Sequence, residues 1–196
     1  MKNVLRWIVI GAILAALVLG YYWYLSNLDH SNDNESSKET KVEEVDRILN
    51  KDLDAAYPET PRGVVKWYNR IITEYYAREH SDSEITGLAN QTRKLLDEEL
   101  LENNPEDAYL ASVKADIASW NDRKAKIVTT EVCSSNNVRY ETVNGYECAY
   151  VTAYYCTKEN VDIVQSYQEF CLRKDKDGKW KILTWRLTTG DESDYI

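Results

Sequence analysis

The stretch from Trp7 to Leu25 holds no charged side chain, and it constrains this chain more than any other feature. Its 19 residues, at about 1.5 Å each along a helix, reach roughly the 30 Å of a bilayer's hydrocarbon core. Lys2 and Arg6 precede the run and Asp29 follows it, so the positive-inside bias places residues 1–6 in the cytoplasm and the rest outside the cell. Tyr21, Tyr22, Trp23 and Tyr24 suit the outer aromatic belt. A cleaved signal peptide is the alternative, although Val18 and Gly20 make a poor small-residue cleavage site. The expectation is a single-pass membrane protein with an extracellular C-terminal part.

Residues 26–40 carry one apolar side chain, Leu28, and cannot bury enough surface to offset their ordering entropy. They read as a flexible linker, leaving residues 41–196 as one extracytoplasmic domain. His30 lies in this linker with no second metal ligand nearby.

The first half of that domain carries helix signals. Thr40 with Glu43 and Ser81 with Glu84 have capping-box spacing, and Thr60–Pro61 and Asn104–Pro105 place a capping oxygen before an N1 proline. Apolar residues recur at three and four, predicting helices at about 41–56, 61–79, 82–103 and 105–121. After Lys126 the period becomes two, and β-formers predict strands at about 126–135, 138–143, 146–157, 162–174 and 179–188. Asn144–Gly145 and Asp177–Gly178 are hairpin signals. Helices first and an antiparallel meander of four to five strands afterwards is an α+β pattern, with about four helices packed on one face of the sheet.

Parity assigns Ala149, Val151 and Ala153, and Val164, Phe170 and Leu172, to the face under the helices. The last strand has two registers. A two-residue turn sets Leu183 and Trp185 opposite Leu172 and Phe170; a three-residue turn with a bulge sets Trp180 and Ile182 there. The second is preferred because it buries the tryptophan after the turn.

Two stretches carry a resemblance. Tyr167-Gln168-Glu169-Phe170-Cys171-Leu172 and Asp177-Gly178-Lys179-Trp180-Lys181-Ile182-Leu183-Thr184-Trp185 resemble the closing hairpin of the nuclear-transport-factor-2-like (cystatin-like) superfamily. That resemblance implies a curved sheet and helices forming a cone. Tyr57-Pro58-Glu59-Thr60-Pro61-Arg62-Gly63-Val64-Val65-Lys66-Trp67-Tyr68-Asn69-Arg70, with Asp97-Glu98-Glu99-Leu100-Leu101-Glu102-Asn103-Asn104-Pro105, is similar to an uncharacterised family of single-pass proteins from Gram-positive anaerobes. It implies fold and topology and supplies no activity.

Four cysteines fall in the predicted sheet. A two-residue turn at Asn144–Gly145 sets Cys133 opposite Cys156, and a turn centred on Glu159–Asn160 sets Cys148 opposite Cys171. Two cross-strand disulfides are therefore expected, with a single disulfide or reduced thiols as alternatives wherever a bulge shifts the register. Their spacing is not that of a zinc site, and no metal or cofactor is expected.

Catalytic signatures are missing: there is no phosphate loop, nucleophile elbow or His-Glu-x-x-His. His80 reads as a positive cap at a helix C-terminus. In the resembled superfamily, enzymes use an acidic base inside the cone, which makes Glu99 and Asp97 the candidates for a rival, isomerase- or hydrolase-like reading. On the predicted helix Glu99 sits at the margin of the apolar stripe and Asp97 pairs with Arg93.

Tyrosine is the distinctive residue, with 15 copies against one Phe. Tyr68, Tyr75 and Tyr76 on a helix, and Tyr154 and Tyr167 on the sheet, are the candidate binding residues for a cone mouth, with Tyr150 and Tyr155 beside them. Without Lys2 and Arg6 the 24 basic residues become 22 against 33 acidic ones, a balance that disfavours nucleic acid as a partner. The expected function is noncatalytic binding of an unidentified small ligand or protein partner, with a structural homodimer as a third reading.

Overall fold

A computed structural model describes residues 44–189. The apolar run at 7–25, the linker at 26–40, the Thr40–Glu43 cap and residues 190–196 lie outside the described residues. Among the described residues no helix is long and apolar enough to cross a membrane.

The described residues build five α-helical segments and then five strands, an α+β arrangement. The helices are α1 (44–49), α2 (Pro61–Tyr75), α3 (Asp82–Arg93), α4 (Glu98–Asn103) and α5 (Glu106–Asp122). The strands are β1 (Ala125–Val132), β2 (Arg139–Val143), β3 (Tyr146–Glu159), β4 (Asp162–Lys174) and β5 (Trp180–Thr188). They form one open antiparallel sheet ordered β1-β3-β4-β5, and β2 joins β3 beyond the end of β1.

Local chemistry fixes the helix starts. Thr60 accepts the Gly63 N–H at 3.0 Å with Pro61 at the first helical position, and Ser81 and Glu84 complete a reciprocal capping box. Gly87 lets α1 approach α3, since a Cβ there would meet Leu49 Cδ2 at 2.6 Å. Gln91 then donates to the Leu49 and Lys51 carbonyls, closing the end of α1.

Two predicted helices and one predicted cap change. Helix 82–103 breaks at residues 94–97, where the Leu95 carbonyl accepts the Ile182 N–H at 2.9 Å and the Asp97 N–H donates to the Ile182 carbonyl at 2.8 Å. The sheet edge thus competes with the helix for its backbone groups, and Asp97 restarts the chain as the N-cap of α4. The first predicted helix stops at residue 49 instead of 56, because the Asp52 carboxylate collects the N–H groups of Asp54 and Ala55. Asn104 caps no helix start: its side-chain amide donates to the Leu100 carbonyl at the end of α4.

The two alternatives for β5 both occur, in different halves of one strand. Near the turn Ile182 faces Leu172 and Trp180 is buried; past a bulge at Cys171/Leu172, Trp185 faces Phe170. Ala149, Val151, Ala153, Phe170, Leu172 and Ile182 are fully buried beneath Val64, Val65 and Ile71 of α2. Val164 shares their parity yet is 50% exposed, because the sheet outruns the helices.

The cysteine pairings are corrected by the same registers. The β3–β4 turn lies at Asn160–Val161, so Cys148 faces Arg173 and Cys171 faces Tyr150. The Asn144–Gly145 hairpin pairs β3 with β2 alone, and the Ser135–Asn137 turn inserts residues between β1 and β2. Cys156 therefore faces Thr129, and the Cys133 N–H donates to the Thr152 carbonyl. No disulfide joins the four cysteines.

Candidate functional site, an aromatic cleft

Beyond the filled part of the core, α2, α5 and the distal inner face of the sheet enclose a cleft of about 770 Å³. Helical spacing on α2 points Tyr68, Ile72, Tyr75 and Tyr76 into it. Tyr109, Ser112, Asp116 and Trp120 follow one stripe of α5. The inner parity of the strands adds Ile127, Tyr155, Thr157, Ser166, Gln168 and Trp185.

The aromatic rings brace one another. Tyr76 stacks on Trp120 with centroids 3.9 Å apart and planes within 14°. Tyr68 meets Phe170 edge-on at 5.5 Å and Trp185 at 5.9 Å, tying the cleft wall to the core.

The tyrosine hydroxyls have partners, buried ones for Tyr155 and Tyr75 and the exposed Asp116 for Tyr76. Tyr155 donates to Asn69 Oδ1 at 2.5 Å, and Tyr76 donates to Asp116 Oδ2 at 2.6 Å. Thr92 Oγ1 donates to the Leu88 carbonyl, so it accepts from Tyr75, 3.1 Å away. Burial drives the phenols of Tyr68, Tyr75, Tyr76 and Tyr109 above their ordinary range, and the Asp116 carboxylate adds to the effect at Tyr76. They stay protonated at neutral pH and act as hydrogen-bonding groups rather than bases.

Of the candidate binding residues, Tyr68, Tyr75 and Tyr76 line the cleft. Tyr154 and Tyr167 face each other at 5.3 Å on the opposite side of the sheet and do not reach it. Their parity is that of Thr152 and Glu169, opposite to the buried Ala153 and Phe170.

The carboxylates proposed as bases are elsewhere. Asp97 is buried at the β5 edge, accepts from Arg173 Nε at 3.0 Å and from Arg173 Nη2, and caps the Glu99 N–H. Glu99 is exposed and also pairs with Arg173, at 3.2 Å. Both carboxylates hold Arg173, whose own pKa they raise.

His80 does cap a helix end, though as a buried imidazole: its Nε2 lies 2.6 Å from the Glu74 carbonyl, and burial lowers its pKa. A second, polar groove of about 380 Å³ runs past Arg62, Lys66 and Asn69. Arg62 there donates to the Cys133 and Val132 carbonyls, holding the end of β1 to α2. Among the described residues no group of three or more His, Cys, Asp or Glu could hold a metal ion.

Residues 1–185 match the family described as Domain of unknown function (DUF6715). The chain belongs to that family. No curated protein matches it. For this DUF6715 chain the comparisons supply membership without an activity, as the resemblance to an uncharacterised family implied.

Tyr155, expected beside the mouth tyrosines, does line the cleft, and it continues the 149, 151, 153 parity by one step. Several cleft residues on α5 were missed from sequence, although a usable signal was present. Tyr109, Asp116 and Trp120 share a helical stripe in which Ile117 is the one buried residue of α5. That poverty of burial marks the helix as a wall over a space.

Proposed function

We propose that this DUF6715 chain is a single-pass, N-in membrane protein whose extracytoplasmic domain is a nuclear-transport-factor-2-like cone that binds a small ligand noncatalytically. The observation that carries the reading is the aromatic cleft: about 770 Å³ walled by Tyr68, Tyr75, Tyr76, Trp120, Tyr155 and Trp185. This size and lining suit a small organic molecule, with flat apolar area for affinity and a few polar atoms for orientation. The anchoring half of the proposal rests on the charge-free run at 7–25 and the Lys2/Arg6 bias.

The alternatives draw less support. Asp97 and Glu99 are committed to Arg173, which leaves an acid–base mechanism without its proposed base. The outer sheet face carries the Arg139–Glu169–Arg186 ion pairs and an Arg139 guanidinium 4.1 Å from the Tyr150 centroid, which does not favour an apolar homodimer interface.

The test uses the full chain in lipid nanodiscs and follows tryptophan emission while a library of small organic molecules is titrated. Saturable quenching that is lost in Trp120→Ala is expected. A library-wide lack of saturable change, or quenching unaltered by Trp120→Ala, overturns the reading. Protease added to intact cells should remove the C-terminal domain; protection would overturn the topology.

A further inference from the structure

The cleft has a charge polarity that narrows its ligand. Among the described residues lining it, Asp116 is the one carboxylate and there is no Lys, Arg or His. Arg123 lies 5.7 Å from the Trp120 ring centroid, but its guanidinium is held by Glu159 at 3.0 Å, so that pair adds no net positive charge.

Three of the lining hydroxyls share this bias, while Gln168, Ser119 and Ser166 are neutral groups that can donate or accept. The hydroxyl protons of Tyr75, Tyr76 and Tyr155 are spent on Thr92, Asp116 and Asn69. What these groups leave for a guest is oxygen lone pairs. Aromatic faces are electron-rich as well, and a cation within about 6 Å of a ring is attracted to its quadrupole. Lone pairs, π-faces and a carboxylate together reject an anion and suit a donor that bears positive charge.

We propose that the cleft selects a small organic cation, a protonated or quaternary amine on an apolar body, with the amine at Asp116 and the body against Tyr68, Ile72 and Trp185. This inference rests on the binding reading above and names the ligand class for the same site.

Three probes of nearly one shape separate the two claims: benzylamine, benzyl alcohol and benzoate, each titrated at neutral pH into the full chain in zwitterionic nanodiscs, with empty nanodiscs as the blank. Benzylamine should bind about tenfold more tightly than benzyl alcohol, and benzoate most weakly. Asp116→Asn keeps an acceptor for Tyr76 and should bring benzylamine to the alcohol's affinity without moving Tm. On the unmodified chain the preference for the amine should shrink as salt is raised, a readout independent of the variant. Equal saturable binding of amine and alcohol, or a preference that survives Asp116→Asn and high salt, overturns the cation inference and leaves the binding reading standing. No saturable binding by any of the three overturns both.

Discussion

The two ends of the sheet's inner face share one alternation and have different fates. At the proximal end, Ala149, Val151, Phe170, Leu172 and Ile182 are fully buried beneath α2 and its neighbours. At the distal end the same parity gives Val164 at 50%, Trp185 at 40% and Leu187 at 75% exposure. Strand periodicity decides which way a side chain points; the length of the covering helices decides whether it is buried. A face that outruns its cover leaves room for a guest, and the cleft begins where the helices stop filling it.

The largest effect should come from the filled end. Phe170→Ala removes the ring that Tyr68 and Trp185 both pack against and should cost about 3–5 kcal/mol in urea denaturation. A loss below about 1 kcal/mol would mean that the proximal end is no better packed than the distal one. Next comes the polar joint at the proximal edge. Asp97→Ala removes the cap of α4 and leaves Arg173 with the exposed Glu99 alone, for an expected loss of about 2 kcal/mol. If Asp97 served a reaction instead, its removal would leave stability unchanged.

These two sites also show how far the sequence could be read. The strands, the Asn144–Gly145 hairpin and the Ser81 capping box were legible, because each depends on residues near one another in the chain. Asp97 was misplaced because the break at 94–97 depends on the backbone of Ile182, more than 80 positions away, which no local period reports. The cysteine pairings failed because one extra turn at Ser135–Asn137 and a hairpin centred one residue later change which residues face each other. Of the cleft, the α2 tyrosines were visible from their spacing. Tyr154 and Tyr167 were chosen by residue type, although their parity, opposite to the Ala153 and Phe170 assigned to the core, argued against them.

A smaller effect should appear with pH at the α2–α3 corner. Burial lowers the pKa of His80 below the ordinary value of about 6.5, so the folded chain prefers the neutral ring. Above about pH 6.5 the ring is neutral in both states, and its environment costs nothing extra. As pH falls below that value the unfolded chain takes up the proton first, so stability declines until the folded ring is protonated too. Tm measured between pH 7.5 and 5 should fall, and the slope should flatten in His80→Gln. A Tm that rises as the pH is lowered through this window would mean that the imidazole is stabilised in its charged form.

The smallest expected effect probes the uncovered end most directly. Leu187 points to the inner side of β5 and is 75% exposed, so Leu187→Gln removes little buried surface and should change stability by less than about 0.5 kcal/mol. A loss above about 1 kcal/mol would require that something covers this end in solution. The concentration dependence of Tm then identifies the cover: a Tm that rises with protein concentration points to a second copy, whereas one independent of it points to another part of the same chain. Either cover would shut the distal side of the cleft and reduce the space beside Trp185. Ligand binding measured on Leu187→Gln would then increase as stability fell, whereas an open distal end leaves binding and stability both unchanged.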